Sequence, residues 1–241
     1  MKKLMAALAA LIVFTASGAW AQIAVNSLDD IKLWAGDGKT ATNRAALVLQ
    51  WNLPDGQGGY RPFTRVWGYG WNSGTPTGYD MLQAVIAMDK RLEYQEEAST
   101  VFGLFYDADG DGGGFALGTP GVWGVSSDAD GAPSDGDDLF QSGWVSSGFW
   151  EYYVFGGNFT YDIYDYVPPY NYIRSDTYDV AGSASHSDVA WFSAPIGSMT
   201  RELVDGSWDA YCYAPGFASQ SIAQPAAATL PVPQKPQMAR V

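Results

Sequence analysis

The stretch Val66 to Tyr94, V-W-G-Y-G-W-N-S-G-T-P-T-G-Y-D-M-L-Q-A-V-I-A-M-D-K-R-L-E-Y, constrains the fold more tightly than any other part of the chain. Val66, Trp67, Tyr69 and Trp71 are β-branched and aromatic residues that suit a pleated surface, and the turn formers Asn72, Ser73, Gly74, Pro76 and Gly78 follow at once. Thr77 then stands where a helix N-cap is needed, with Asp80 three residues later in the place of the usual capping-box glutamate. Met81, Leu82, Val85, Ile86 and Leu92 recur at helical spacing, which predicts one amphipathic helix over about 78–95. Lys90 and Arg91 fall near its other end, where positive charge is favoured.

Around this unit the chain reads as strands. In A-A-L-V-L-Q-W-N (Ala45 to Asn52), Leu47, Leu49 and Trp51 share one face and Val48 and Gln50 the other, as in a central strand. The glycine-rich turn Pro54 to Gly59 leads on towards the Val66 strand, as in an antiparallel hairpin with a long loop. Val101 to Tyr106, Gly143 to Gly157 and Phe159 to Val167 are further strands, the last stopped by Pro168-Pro169. Gly118 to Asp138 reads as a surface loop, and Tyr170 to Ser187 as polar and loop-like. Val189 to Phe192 and Leu203 to Tyr213 close the pattern. Many short strands and one helix predict a mainly β fold, an antiparallel sheet or sandwich with the helix packed on it.

Lys2 and Lys3, an apolar run from Leu4 to Phe14 and Ala19-Trp20-Ala21 match a secretory signal peptide cut before Gln22, too short to span a bilayer comfortably. The organisation expected is a signal peptide over 1–21, one β-rich domain over 22–216, and an extended Pro/Ala-rich tail over 217–241 outside the fold. Loss of Lys2 and Lys3 moves the formal net charge from −13 to −15, which disfavours nucleic acid and anionic lipid as partners and favours cations. No stable membrane insertion is expected after cleavage.

Asp107-Ala108-Asp109-Gly110-Asp111-Gly112 places carboxylates at positions one, three and five and glycine at six, as the first half of a calcium loop requires. Position twelve is Gly118 instead of a bidentate glutamate, so a calcium ion on Asp107, Asp109 and Asp111 needs donors from elsewhere, among them Asp128, Asp130, Asp135, Asp137 and Asp138. The competing reading is an Asp/Gly hairpin turn.

Trp144, Trp150, Tyr161, Tyr164 and Tyr166 lead a run of rings interspersed with Asp162, Asp165 and Asn171. Such rings can stack on sugar faces while the polar groups bond hydroxyls. The alternative is that one alternating face simply fills the core.

Catalysis has little support. His186 is the only histidine, so His-rich zinc sites are excluded, and a Ser-His-Asp arrangement must use it within S-A-S-H-S-D. Paired-carboxylate glycoside hydrolysis would rest on Glu151 and Glu202, whose separation decides the matter. The single cysteine, Cys212, excludes an internal disulfide and alternates with Tyr211 and Tyr213 as a small apolar strand residue would.

The ordered set W-N (Trp51-Asn52), V-W-G-Y-G-W (Val66 to Trp71), T-G-Y-D-M-L-Q-A-V (Thr77 to Val85), D-K-R-L (Asp89 to Leu92), Y-D-A-D-G-D-G-G-G-F (Tyr106 to Phe115), S-G-F-W-E-Y-Y (Ser147 to Tyr153) and L-V-D-G-S-W-D-A-Y (Leu203 to Tyr211) resembles exported bacterial proteins of the PEP-CTERM sorting type. The resemblance covers roughly residues 44 to 216. It implies export and association with the envelope or the exopolysaccharide matrix, and it implies no reaction. Val232-Pro-Gln-Lys-Pro stands where that family has a Pro-Glu-Pro motif, and no apolar segment follows before Arg240, so a sorted anchor is not expected. The expectation is a secreted or cell-surface binding or structural protein with calcium as a candidate stabiliser. The alternative is a carbohydrate-active enzyme.

Overall fold

A computed structural model describes residues 23–97, 100–108, 110, 138–143, 147–167 and 170–230, and no side chain of Glu97 or of 165–172. Residues 1–21, expected as a signal peptide, and Asp109, Asp111, Trp144, the side chain of Tyr166 and Val232 to Pro236 lie outside the described residues. The fold is mainly β with one α-helix among the described residues, as the pattern predicts.

The principal sheet has six strands: β1 (Trp34–Gly36), β2 (Asn43–Pro54), β3 (Tyr60–Trp71), β7 (Gly148–Phe155), β10 (Phe192–Ser193) and β11 (Ser207–Pro215), in the order β1-β3-β2-β11-β7-β10. A three-stranded sheet holds β4 (Leu92–Glu97), β5 (Thr100–Tyr106) and β6 (Leu139–Ser142), and among the described residues β8 (Gly157–Val167) pairs only with β9 (Tyr170–Val180). β2 and β3 form the expected antiparallel hairpin, with Leu47 opposite Trp67. β11 then joins β2 in parallel, Ser207 opposite Ala45 through Cys212 opposite Gln50, and β1 joins β3 in parallel. The sheet is therefore mixed.

The alternation of β2 distributes the core. Leu47, Leu49 and Trp51 point towards the three-stranded sheet and α1 (Gly78–Met88), packing with Met81, Leu82, Val85, Leu104 and Tyr106. Ala46 and Val48 point the other way, into a cluster with Val25, Leu28, Ile31, Trp208 and Cys212. The second layer is fastened by Trp51, whose Nε1 donates to the Leu104 carbonyl at 2.9 Å.

Thr77 caps α1 as its sequence predicts: its hydroxyl accepts from the Asp80 amide, and the Asp80 carboxylate accepts from the Thr77 amide at 2.8 Å. The helix ends at Met88, however, and not near residue 95. Asp89 turns extended, and its carboxylate takes a hydrogen bond from Trp67 Nε1 at 2.9 Å and a bidentate grip from Arg91 at 2.9 and 2.8 Å. Leu92 keeps its helical spacing but is buried in β4, opposite Tyr106.

Two other expectations are corrected. Tyr170 to Val180 is a strand, not a loop, because β9 pairs antiparallel along all of β8, from Gly157 opposite Val180 to Val167 opposite Tyr170. The segment read as a tail outside the fold is held against it as far as Ala228: Ala226, Ala227 and Ala228 are buried, the Val66 amide donates to the Ala226 carbonyl at 2.9 Å, and the Ala228 amide to the Val66 carbonyl at 3.1 Å. No helix among the described residues is long and apolar enough to cross a membrane.

Candidate functional site

The β8–β9 ribbon carries the aromatic candidates. At its base Phe159 and Tyr178 are opposed across the strands and stack with ring centroids 4.7 Å apart, and Phe192 closes on Tyr178 at 4.9 Å over buried Val154. Tyr161 still touches this cluster, 5.7 Å from Phe192. Further along, Tyr164 and Ile173 stand opposite each other, 59% and 55% exposed.

Because side chains alternate along a strand, Tyr164 and Ile173 share their face with the pairs Asp162/Ser175 and Thr160/Thr177. Ser175 Oγ donates to Asp162 Oδ1 at 2.6 Å, and the two threonine hydroxyls lie 3.5 Å apart. Three successive rungs thus offer hydroxyls, a carboxylate and an apolar ring to solvent. Such a surface can stack on one face of a sugar and bond its hydroxyls.

Trp150 does not belong to that surface. It is buried, edge-on to Trp51 at 5.9 Å and to Tyr213 at 5.5 Å, with Nε1 donating to the Gln141 carbonyl at 3.1 Å. β7 lies beneath the second sheet, so its even-numbered rings fill the layer between them. Alternation along the strand predicts that Trp150 has a face of its own but not that this face is covered.

Asp107 and Asp138 lie at one end of the β5–β6 pair. Tyr106 is opposite Leu139, so Asp107 and Asp138 flank the next rung. Asp107 Oδ1 accepts from the Gly110 amide at 2.6 Å, the local bond that an Asp/Gly turn makes, and Asp138 Oδ1 accepts from the Ala108 amide at 3.3 Å. Among the described residues no three His, Cys, Asp or Glu side chains converge to hold a metal. Of the candidate ligands only Asp107 falls within those residues, with Asp138 as the donor brought to it.

The groups on which catalysis would rest are dispersed. Glu151 lies on β7 opposite Cys212 and accepts from Ser193 Oγ at 2.8 Å, on the sheet face shared with Tyr153. Glu202 is exposed and pairs through its backbone with Thr77 at the start of α1, on the opposite face. The carbonyl of Glu202 accepts from Arg201, which reaches the end of β7 at Phe155, four residues or roughly 13 Å of strand from Glu151. These two carboxylates do not face each other across one cleft.

His186 packs edge-on against Trp208 at 5.3 Å, and burial lowers its pKa from the ordinary imidazole value. Its neighbours Ser183 and Asp188 bond directly to each other at 2.6 Å, bypassing it. Cys212 is fully buried beside Asn52, and burial pushes its thiol up to about 12, which keeps it protonated.

One buried constellation has no obvious sequence signature. Arg201 and Asp209 form an ion pair, and Arg201 also donates to the carbonyls of Phe155 and Gly156 and to Ser207 Oγ. The Tyr152 hydroxyl donates to the other Asp209 oxygen. Burial raises the Asp209 pKa, with Arg201 opposing it, and burial raises that of Tyr152. A side chain at Gly78 would collide with both Tyr152 and Asp209, and one at Gly157 with Arg201. The group is closed by its neighbours and acts as a staple between β7, β11 and α1. Its only sequence signal is a charged residue inside the apolar run W-D-A-Y-C-Y. Comparisons with known protein families, with characterised proteins and with solved structures found no match.

Proposed function

We propose that this is an exported binding protein of the bacterial envelope or exopolysaccharide matrix, which holds polysaccharide through the β8–β9 ribbon. The observation that carries this reading is the exposed rung Tyr164/Ile173 set beside the hydroxyl and carboxylate rungs Asp162/Ser175 and Thr160/Thr177. A ring presented on a two-stranded ribbon contributes little to the core, which leaves its face free to stack on a partner. Export rests on the leader-like residues 1–21 and on the resemblance to PEP-CTERM-type proteins. The dispersal of Glu151 and Glu202 favours binding over paired-carboxylate hydrolysis.

Calcium on Asp107, Asp109 and Asp111, completed by Asp138, is the ion this reading includes. The β5–β6 register supports it by bringing the first and last of these to one end of the same hairpin. Selective binding to the native state must raise the unfolding midpoint. Millimolar calcium should therefore raise it relative to chelator, and Asp107→Asn should remove the rise; an unchanged midpoint in the native chain rejects the site. For the ribbon, a glycan array is the test. Retention of at least one polysaccharide class, lost in Tyr164→Ala, supports the proposal, and no retention by the native chain rejects it.

A further inference from the structure

Residues 218–228 form a strap across the face of the principal sheet. The Tyr153 hydroxyl on β7 donates to the Gln220 carbonyl at 3.0 Å. On β2, Gln50 Nε2 donates to the Ser221 carbonyl at 3.0 Å while its Oε1 accepts from the Ala223 amide at 2.7 Å. On β3, the Thr64 hydroxyl donates to the Gln224 carbonyl at 2.9 Å and accepts from the Ala226 amide at 3.1 Å. Since β11 lies between β7 and β2, the strap passes over it at Cys212, with Ile222 packed in the same cluster. It then runs beside Val66 as a parallel bridge.

Every one of these side chains binds main chain. The groove therefore recognises an extended backbone, and Gln50 and Thr64, 1% and 2% exposed, lose their strap partners when it empties, while Gln50 Nε2 keeps Asn52 Oδ1. Opening the strap uncovers the apolar cluster of Val48, Val66 and Cys212 beneath Ile222 and Ala227, so an equivalent segment that replaces it recovers that burial. The entrance to the strap is itself strained. Gly216 and Phe217 both have positive φ, 60° and 63°, and Phe217 is the only non-glycine residue with positive φ among the described residues. Its exposed ring stacks on the Phe149 ring, with centroids 6.0 Å apart.

We propose that the strap is exchangeable, and that the groove takes residues 218–228 of a second copy of this chain to form a strap-swapped dimer. The contacts in the groove are the same in cis and in trans, so exchange loses none of them, while an extended hinge releases the strain at Phe217.

The test uses the purified chain with two hinge variants, mass measured by sedimentation over a range of concentrations, and the rate at which a thiol reagent modifies Cys212. Phe217→Pro cannot adopt a positive φ and forces the hinge open. It should raise the dimer fraction at fixed concentration by roughly tenfold with Cys212 as protected as in the native chain, while Phe217→Gly should lower it. A Phe217→Pro chain that stays monomeric overturns the proposal, whether Cys212 is reactive or protected, and so does a dimer with reactive Cys212. If Phe217→Pro does not fold, the native chain refolded at high concentration should give a dimer that Phe217→Gly, which relieves the hinge strain in the closed monomer, diminishes. Absence of that dimer, or its indifference to Phe217→Gly, overturns the proposal equally.

Discussion

Arg201 and Asp209 form an ion pair at 3.2 Å with both side chains fully withdrawn from solvent. The pair joins the β7–β8 turn, which supplies the Gly156 carbonyl, to β11, which supplies the carboxylate, and the helix N-terminus sits against it at Gly78. An unpaired charge here has no water to turn to, so the two residues stand or fall together.

Asp209→Asn keeps the shape and leaves the Arg201 guanidinium without its counter-charge. The expected loss is about 3–5 kcal/mol in urea unfolding. The double replacement Arg201→Met/Asp209→Leu should lose less than the two single losses added, because it removes both charges at once. A loss below about 0.5 kcal/mol for Asp209→Asn would mean that the pair is not what secures this corner.

Gly78 is the first residue of α1, a place where alanine ordinarily gains up to about 1 kcal/mol. A methyl group there would strike the Tyr152 hydroxyl and the Asp209 carboxylate, so Gly78→Ala should instead destabilise by about 1–3 kcal/mol. The cause can be checked in Tyr152→Phe, which lacks the hydroxyl. Thermal unfolding should show a smaller penalty for Gly78→Ala in that background, and an equal penalty would point away from the collision.

What could be read in advance follows a physical line. The alternation of β2 and the Thr77–Asp80 cap are local, and both appear in the fold as spaced. The end of α1 depends on Trp67 reaching Asp89 from β3, a contact 22 residues away that periodicity does not carry. Between Ile173 and Thr177 β9 has no buried residue, so Arg174, Ser175 and Thr177 disguise a strand whose pairing comes from β8. The strap is held chiefly through its backbone, which leaves almost no side-chain pattern to detect.

His186 provides a pH dependence whose sign is fixed by its surroundings. Packing on Trp208 lowers its folded pKa, whereas the unfolded chain keeps the ordinary value, 6.5. The unfolded state therefore binds the proton first, and stability falls as pH drops from about 7 through the folded pKa, with no further loss below it. As His186 is the only histidine, His186→Phe should flatten the stability curve between about pH 7 and pH 5.5 relative to the native chain. Asp209, with its raised pKa, bends the curve the other way in both chains, so the difference between them isolates the imidazole. Parallel curves would show that the ring is not shielded.

The sequence groups Trp150 and Tyr164 in one aromatic surface, and the fold separates them. Trp150 lies between Trp51 and Tyr213 under the second sheet, so Trp150→Ala should cost about 3–5 kcal/mol. Tyr164 is 59% exposed on a ribbon whose base, at Phe159, Tyr178 and Phe192, holds without it. Tyr164→Ala should therefore shift stability by no more than about 0.5 kcal/mol. Polysaccharide retention should respond in the opposite order, lost in Tyr164→Ala and kept by whatever fraction of Trp150→Ala remains folded. Measuring both properties on both variants separates a ring that supports the fold from one that meets a ligand. A Tyr164→Ala chain that binds as well as the native one would remove the ribbon from the binding surface.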